Sequence, residues 1–398
     1  MEVSEFFFKF LVILVSAKIF AELFARLRLP PSLGEVVAGI LIGPSLLGIV
    51  QPDPLFSVLA GIGVLFLLFE VGMDTDVGQL MKVGGQAFLV AVTGVFVPAL
   101  LGFWVSAYIF HLPADVSLFI GGTLVATSIG ITVRVLGDIG KQKTKTAKIV
   151  LGAAVLDDVV GVVILALLYD FVMKGEVEVF HAVSVLGIIT LFLIAAPVIA
   201  KLLSPLIANL SASSRTKGMI PTLIVSLILA LAVISRRIGA PEILGSFVAG
   251  IALSGRFFLP FGPDAEKSSH HLPEKVAGEM KPIIDLFVPV FFVMVGASIN
   301  FSVIDFSSPL FWKIAGMLFT AAVLGKMASG IWVRGGIRRK VSTGVAMVPR
   351  GEVGLIFAEV GRRSGIFDDT LYAVMVFVVA LTTLFAPALL RITMKGEE

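Results

Sequence analysis

Long apolar runs alternate along the whole chain with short stretches that hold proline, glycine and charged residues. A helix that crosses the hydrocarbon core needs about 20 apolar residues, and these runs have that length. They are much longer than the alternating strands of an outer-membrane barrel, and a helix satisfies its own backbone hydrogen bonds in lipid. The pattern therefore predicts an all-α polytopic membrane protein. Thirteen helices are predicted, over residues 5–26, 31–49, 54–73, 83–110, 114–136, 146–170, 178–204, 217–235, 240–256, 278–300, 309–333, 341–362 and 369–391.

Composition supports a lipid bilayer as the solvent. Of the 398 residues 57% are hydrophobic and 15% charged, too few polar side chains to cover a soluble domain of this size. The absence of cysteine excludes disulfides, thiolate metal sites and a cysteine nucleophile. The net charge of +3 lies mostly in loops, so we expect no nucleic-acid partner. The first apolar run has no basic segment before it and is predicted to be a retained helix.

The Lys and Arg residues of the predicted loops fall mostly on one side of the membrane. That side receives Arg26, Arg28, Lys82, Arg134, Lys141, Lys143, Lys145, Lys148, Lys201, Arg215, Lys217, Arg256, Lys267, Lys275, Arg334, Arg338, Arg339, Lys340, Arg391 and Lys395. The other side receives chiefly Lys174 and two pairs, Arg236-Arg237 and Arg362-Arg363. The positive-inside rule then predicts an inner (plasma) membrane protein with its N-terminus outside and its C-terminus in the cytoplasm.

The chain also contains a predicted internal repeat. Residues 33–40 (LGEVVAGI) and 244–251 (LGSFVAGI) agree at six of eight positions. Similar offsets relate Val71-Gly72 to Val295-Gly296, Gly130 to Gly354, and Asp157-Asp158 to Thr382-Thr383. Matched helices are seven apart and so run in opposite directions, which predicts two inverted six-helix halves joined by helix seven. Inverted repeats are typical of transporters that alternate access to a midplane site. Coincidental packing of small residues is the alternative.

Two adjacent carboxylates, Asp157 and Asp158, lie near the centre of the sixth predicted helix with apolar residues on both sides. Successive helical residues point about 100° apart, so the two acids cannot share one atom as a catalytic dyad does. One is predicted to bind a cation or a proton, and the other needs a buried counter-charge, for which Lys326 is available. The alternatives are a polar pair satisfied by helix packing and a Lys326 that snorkels to an interface.

Predicted helices five and twelve contain residues that interrupt a helix. Helix five has Gly121-Gly122-Thr123 and then Thr127-Ser128, and helix twelve has the run Val348-Pro349-Arg350-Gly351-Glu352. Paired broken helices indicate a midplane binding site. Arg350 and Glu352 can either offset the charges of half-helix ends or bind each other. Hydroxyls, freed carbonyls and carboxylates are ligands for a hard cation such as Na⁺. The predicted metal ligands are Asp158, Asp157 and Thr127.

Three further features have two interpretations each. Glu35 and Glu70, on helices two and three, either line the ion pathway or make structural hydrogen bonds. His270 and His271, in the longest cytoplasmic loop, either sense pH or are simply solvated.

In these motifs the chain resembles the monovalent cation:proton antiporters, specifically NapA-like electrogenic Na⁺/H⁺ antiporters with a double-aspartate motif. The resemblance rests on Leu33–Gly48, Ala126–Gly137, Ile149–Asp158, Leu324–Lys326 and Val348–Ile356. It implies a homodimer with a scaffold domain over residues 1–79 and 205–305 (helices 1–3 and 8–10). It also implies a core over 80–172 and 306–398 (helices 4–6 and 11–13) and a linker helix over 173–204.

The resemblance also implies roles for single residues. Asp158 is the expected ion-binding and proton-carrying aspartate, Asp157 the expected partner of Lys326, and Thr127 is expected at the helix crossing. Glu70 departs from the pattern, because an apolar residue is expected at that position.

The expected activity is exchange of Na⁺ or Li⁺ for protons, because a cation and a proton compete for the same carboxylates. No enzyme activity and no cofactor are expected, and Na⁺ and H⁺ are the transported species. One alternative is a K⁺/H⁺ antiporter or a Kef-type K⁺ efflux subunit. The chain ends seven residues after Arg391, so any regulator of that kind would be a separate subunit. An intramembrane aspartyl protease is a remote alternative. Its two catalytic acids should come from different helices, whereas Asp157 and Asp158 are adjacent on one helix.

Overall fold

The structure is a computed structural model that describes residues 3–174, 179–213, 218–254 and 272–395. All regular structure in those ranges is helical, which confirms the all-α fold class. The α-helices are α1 Val3–Arg26, α2 Pro31–Ile42, α3 Pro54–Asp74, α4 Val77–Trp104, α5 Ala114–Thr123, α6 Ile129–Asp138, α7 Lys145–Lys174, α8 Val179–Ser213, α9 Met219–Arg237, α10 Glu242–Leu253, α11 Leu272–Ala297, α12 Pro309–Ala328, α13 Ile337–Ala346, α14 Glu352–Arg363 and α15 Asp369–Thr393. A π-helical turn over Val105–Ile109 extends α4, and short 3₁₀ turns cover Phe301–Val303 and Ser329–Trp332.

The predicted helices five and twelve are each broken into two half-helices, α5 with α6 and α13 with α14. Four other predicted ends were wrong by six residues or more. Helix α2 ends at Ile42 instead of 49, because Pro44 disfavours helical backbone at the preceding Gly43. Helix α4 begins at Val77 instead of 83, since Asp76 caps it by accepting from the Gln79 amide at 3.0 Å.

The other two corrections concern helices that are longer than predicted. Helix α8 continues to Ser213 instead of 204, because the apolar run passes through Pro205 and turns polar only near Ser211. Helix α11 begins at Leu272 instead of 278, with Pro273 in its first turn, where the missing amide costs no hydrogen bond.

Seven helical segments in the described residues are long and apolar enough to cross a membrane: Pro54–Asp74, Gly78–Ile109, Val183–Ala200, Met219–Arg237, Pro273–Val303, Pro309–Trp332 and Asp369–Thr393. Shorter apolar helices, α2 and α10, accompany them. Large apolar side chains are exposed along α1 and α4, for example Phe7, Leu11 and Phe96, as expected of a surface that faces lipid. The protein is a multi-pass membrane protein, and the count of thirteen crossings stays a prediction.

The chain divides into two compact units. The first comprises Met1–Ser57, Val83–Val179 and Phe292–Glu398, and the second Val58–Lys82 and Phe180–Phe291. The first unit has an apolar core in which α5, α12 and α15 pack through Phe119, Phe311, Leu318 and Val374, together with Phe367 just before α15. In the second unit Phe66 of α3 and Phe287 of α11 stack edge to face, with 5.8 Å between ring centroids.

Close backbone contacts recur at the separations of the predicted repeat. In the first unit Gly34 of α2 lies directly against the carbonyl of Phe20, and in the second Gly245 of α10 lies against that of Leu231. Gly245 and Leu231 follow Gly34 and Phe20 in the sequence by 211 residues each. Because a Cβ would collide with backbone at either place, each unit requires glycine there, as expected if the two helix pairs are copies of one arrangement.

A second contact repeats in the same way. Gly39 and Gly296 pack against the carbonyls of Val293 and Val36 in the first unit. In the second unit their counterparts Gly250 and Gly72 pack against the carbonyls of Phe69 and Phe247. Two independent contacts whose residues correspond at the predicted separations of 211 and 224 support an internal repeat over coincidental small-residue packing.

Candidate ion-binding site

The site is built around the two broken helices. Helix α5 stops at Thr123, just after Gly121-Gly122, and α6 starts at Ile129 with Ser128 as its cap. Helix α13 stops at Ala346 and α14 starts at Glu352, and the intervening Pro349 has no amide hydrogen to continue a helix. Each break leaves backbone donors and acceptors that the helix no longer satisfies.

The two breaks satisfy each other. The Ser128 amide donates to the carbonyl of Pro349 at 2.8 Å, and the Thr132 hydroxyl donates to that of Ala346 at 2.8 Å. The backbones approach so closely that a Cβ at Gly351 would lie 2.8 Å from the Ser128 hydroxyl oxygen. The unwound segments therefore cross in contact, and Thr127 and Ser128 lie at the crossing.

Arg350 is fully buried at this crossing. Its guanidinium donates to the carbonyl of Leu124 at 2.6 Å, to that of Val348 at 3.3 Å and to that of Ala322 at 3.5 Å. Leu124 directly follows α5, so the cation stabilises the partial negative charge of that half-helix end. The carbonyl of Arg350 itself accepts a hydrogen bond from Thr383 of α15.

A buried ion pair lies beside the crossing. The ammonium of Lys326 on α12 is 3.1 Å from Oδ1 and 3.3 Å from Oδ2 of Asp157 on α7. The side chains of Lys326 and Asp157 are 0% and 1% exposed, so Lys326 does not snorkel to an interface. The Thr127 hydroxyl lies 3.4 Å from the carbonyl of Met347 and also contacts the Asp157 carboxylate. This hydroxyl thereby joins the ion pair to the crossing.

Asp158 is the next residue on α7 and is also buried, at 8% exposed. It interacts electrostatically with Lys326, which in turn interacts with Asp157 and Arg350. Two carboxylates and two cations therefore lie within one region of the first unit, and their formal charges cancel. A cation or a proton added to Asp158 changes that balance by one charge.

Helix packing fixes the position of Lys326. The preceding Gly325 lies against Pro98 of α4, whose atoms would be 2.7 to 2.8 Å from a Cβ there. One turn before Pro98, Gly94 leaves room for the ammonium, 3.7 Å from the position of a Cβ. The Ser329 hydroxyl donates to the Lys326 carbonyl at 2.6 Å. Small residues on α4 and α12 thus place the ammonium against Asp157.

The remaining predicted residues lie elsewhere. Glu35 is buried on α2, where its charged neighbours are Arg134, Asp138 and Lys18 rather than the Asp157 group. Glu70 belongs to the second unit and pairs with Lys281 at 3.1 Å. Helix α14 begins at Glu352, but the side chain of Glu352 lies outside the described residues. His270 and His271 also lie outside the described residues.

Sequence reasoning missed two hydroxyls of the crossing, Thr132 and Thr383. Thr132 lies one turn after Ser128 on α6, and nothing in the local sequence singles it out. The internal repeat did point to Thr383, because it aligns Thr382-Thr383 with Asp157-Asp158 of the other half. The position that holds two carboxylates in one half thus holds two hydroxyls in the other: Thr382 bonds within its own helix, and Thr383 bonds to the crossing.

An all-helical membrane protein with two broken helices that cross beside a buried ion pair has the features of a secondary transporter. Comparison with known proteins gives the family. The profile described as sodium/hydrogen exchanger, transmembrane, matches residues 11–396, and the chain belongs to this family of transporters.

Named relatives match over nearly their whole length. The chain is 34% identical to the high-affinity Na⁺/H⁺ antiporter NhaS3 of Synechocystis sp., over 97% of this chain and 89% of that protein. It is 32% identical to the Na⁺/H⁺-K⁺ antiporter GerN of Bacillus cereus, over 99% and 97% of the two chains. The fold is similar to that of the sodium proton antiporter MjNhaP1 of Methanocaldococcus jannaschii, with TM-score 0.73, 18% identity and coverage of 100% and 99%.

Proposed function

We propose that the protein exchanges Na⁺ for protons across the inner membrane by alternating access, with Asp158 as the carboxylate that carries either ion. The buried Asp157–Lys326 pair next to Asp158 is the observation that carries this proposal. It gives Asp157 a buried counter-charge, and we assign the binding of the transported ion to the neighbouring Asp158. The antiporters named above, similar over almost the whole chain, support Na⁺ and H⁺ as the transported ions.

Exchange follows from competition and needs no cofactor. A Na⁺ ion requires the negative charge of Asp158, and a proton on the same carboxyl removes that charge. Oxygen ligands near by include Asp157, the hydroxyls of Thr127 and Ser128, and carbonyls freed by the breaks. Only a loaded site would cross the barrier between the two sides, because an unneutralised carboxylate at that depth is costly. One ion therefore leaves before the other binds.

The architecture of the cycle completes the proposal. A core of helices 4–6 and 11–13 would move against a scaffold of helices 1–3 and 8–10, with helix seven as the linker. The scaffold would pair two copies of the chain as a homodimer. The inverted repeat gives the two halves of the core matching roles at opposite faces of the membrane.

Transport in proteoliposomes tests the function directly. Addition of Na⁺ or Li⁺ should collapse an imposed proton gradient, and Asp158→Asn should reduce this flux to background, because an amide neither carries a proton nor offers a charge. Asp115→Asn, an exposed acid in the first turn of α5, is the matched control and should transport as wild type does. Full Na⁺-dependent flux in Asp158→Asn would contradict the assignment.

The same assay separates a second candidate. The name of GerN includes K⁺, so a K⁺/H⁺ exchanger is the alternative that a relative favours. Flux driven by K⁺ with no response to Na⁺ or Li⁺ would establish it. Flux that appears only after addition of a second protein would indicate a Kef-type subunit.

A further inference from the structure

A second polar cluster lies in the first unit, where α2 begins and α6 ends. Asp138, the last residue of α6, accepts a hydrogen bond from the Ser32 amide in the first turn of α2, at 3.0 Å. Its other oxygen is 3.3 Å from Nε of Arg134, one turn earlier on α6. A carboxylate from one helix thus caps the amide end of the other, so the two helices are docked through charge.

Glu35 lies on the same face of α2, three residues after Ser32. It is 1% exposed, and its Oε2 atom is buried without a hydrogen-bond partner. The Ser32 hydroxyl is likewise buried without one. A carboxyl at this depth with an unsatisfied oxygen is unusual, since nearly all buried polar atoms are paired.

The charges that act on Glu35 come from two helices. Arg134 and Asp138 belong to α6. Lys18, on the exposed side of α1, has the smallest electrostatic influence of the three on Glu35. Helices α11 and α15 pack on α2 as well, and within the described residues they bring no charge to this set. Arg134 therefore faces two carboxylates, and only Asp138 is placed to cap α2.

We propose that Glu35 is a second proton-binding site, separate from Asp157 and Asp158, whose proton keeps α6 docked on α2. A proton on Oε2 gives that atom a donor for the Ser32 hydroxyl and removes the buried charge. Arg134 then stays with Asp138, and Asp138 stays on the α2 amide. Loss of the proton creates a second carboxylate that competes for Arg134 or admits water, and either event loosens the docking.

The inference rests on the proposed antiport, in which α6 belongs to the moving core and α2 to the scaffold. Docking of these helices would then hold the core in one position while Glu35 is protonated. The cluster would make the cycle respond to pH at a place that does not carry the transported ion.

The helix separation can be measured without transport. The natural chain has no cysteine, so spin labels can be attached at Leu27→Cys, beside the start of α2, and Gly137→Cys, near the end of α6. Leu27 is 61% exposed, and a side chain at Gly137 would meet nothing within 4 Å. We expect the label distance to lengthen as the pH rises from 5 to 9. Glu35→Gln should hold the low-pH distance throughout, and Glu35→Asp should restore a titration.

Glu22→Gln is the matched control, because Glu22 is an exposed acid of α1 paired with Arg26. It should titrate as wild type does. If Glu35→Gln does not fold, Ser32→Ala provides the test, since loss of the hydroxyl must move the midpoint of the titration. A distance that is constant with pH in wild type, or unchanged titration in Glu35→Gln or in Ser32→Ala, would overturn the proposal. Loss of Na⁺-driven flux in wild type would count against the proposed antiport alone, because the distances do not depend on transport.

Discussion

At the scale of single residues, the site depends on a lysine that has no access to water. An ammonium moved from water to a protein interior loses hydration worth several kcal/mol, and only a close counter-charge offsets that loss. Lys326 has that counter-charge in Asp157, with Asp158 as a further acid near by. Removal of one partner is therefore expected to cost more than removal of both.

A double-mutant cycle tests this coupling. Lys326→Gln should destabilise the folded protein by about 3–5 kcal/mol, because it leaves Asp157 buried without a partner. Adding Asp157→Asn should restore much of that loss. Melting temperatures in detergent give the stabilities, and Lys313→Gln, an exposed lysine of the same helix, should change little. Strict additivity of the two substitutions would mean that the residues are not partners.

At the scale of helices, local chemistry predicted where helices break but not what the breaks contact. Gly121-Gly122 and Pro349 interrupt a helix through their own backbone properties, so both breaks were visible in the sequence. The hydrogen bonds from Arg350 to Leu124 and from Thr383 to Arg350 join residues far apart in the chain, and periodicity has no information about them. The end of α2 was predicted wrongly because apolar residues continue beyond Gly43. Hydropathy therefore extended the helix past the residue at which its backbone becomes extended.

Helix spacing gives a prediction of its own at Gly325. A Gly→Ala change inside a helix normally stabilises by roughly 0.5–1 kcal/mol. At Gly325 the new Cβ would lie 2.7 Å from a backbone atom of Pro98, so α12 must move away from α4 and carry Lys326 with it. We expect Gly325→Ala to lower both the melting temperature and Na⁺-driven flux.

Gly316→Ala is the control on the same helix, since a Cβ there meets nothing within 4 Å. It should be neutral or slightly stabilising. Equal behaviour of the two variants would show that close approach of α4 and α12 does not position the lysine.

At the scale of the whole molecule, the distribution of basic residues predicts the orientation. Two Arg pairs, Arg236-Arg237 and Arg362-Arg363, are exceptions to the simple pattern. Arg236 pairs with Glu242 at 2.9 Å, and Arg362 pairs with Asp369 at 3.2 Å. The positive-inside rule counts Lys and Arg and gives little weight to acids, so these ion pairs do not explain the exceptions, and the orientation rests on the larger number of basic residues on the other side.

Labelling of single cysteines tests the topology. Lys143→Cys lies among the basic residues before α7 and should react with an impermeant reagent only from the cytoplasmic side. Ser307→Cys, exposed between α11 and α12, should react only from outside. The absence of native cysteine makes each signal specific. Reaction of both positions from the opposite sides would reverse the orientation.

The cancelling charges of Asp157, Asp158, Lys326 and Arg350 determine how the membrane potential acts on the cycle. If Lys326 keeps its proton throughout, the site has the same charge with Na⁺ as with a proton, so the voltage assists one journey as much as it opposes the other and does not drive the whole cycle. If Lys326 releases a proton when Na⁺ binds, only the proton-loaded journey carries charge, worth about 2.3 kcal/mol per 100 mV. An inside-negative voltage would then accelerate Na⁺ extrusion, and exchange indifferent to an imposed voltage would show that the lysine stays charged. The protonation of Lys326 would thereby determine whether the membrane potential helps to drive Na⁺ extrusion or whether the pH gradient alone drives it.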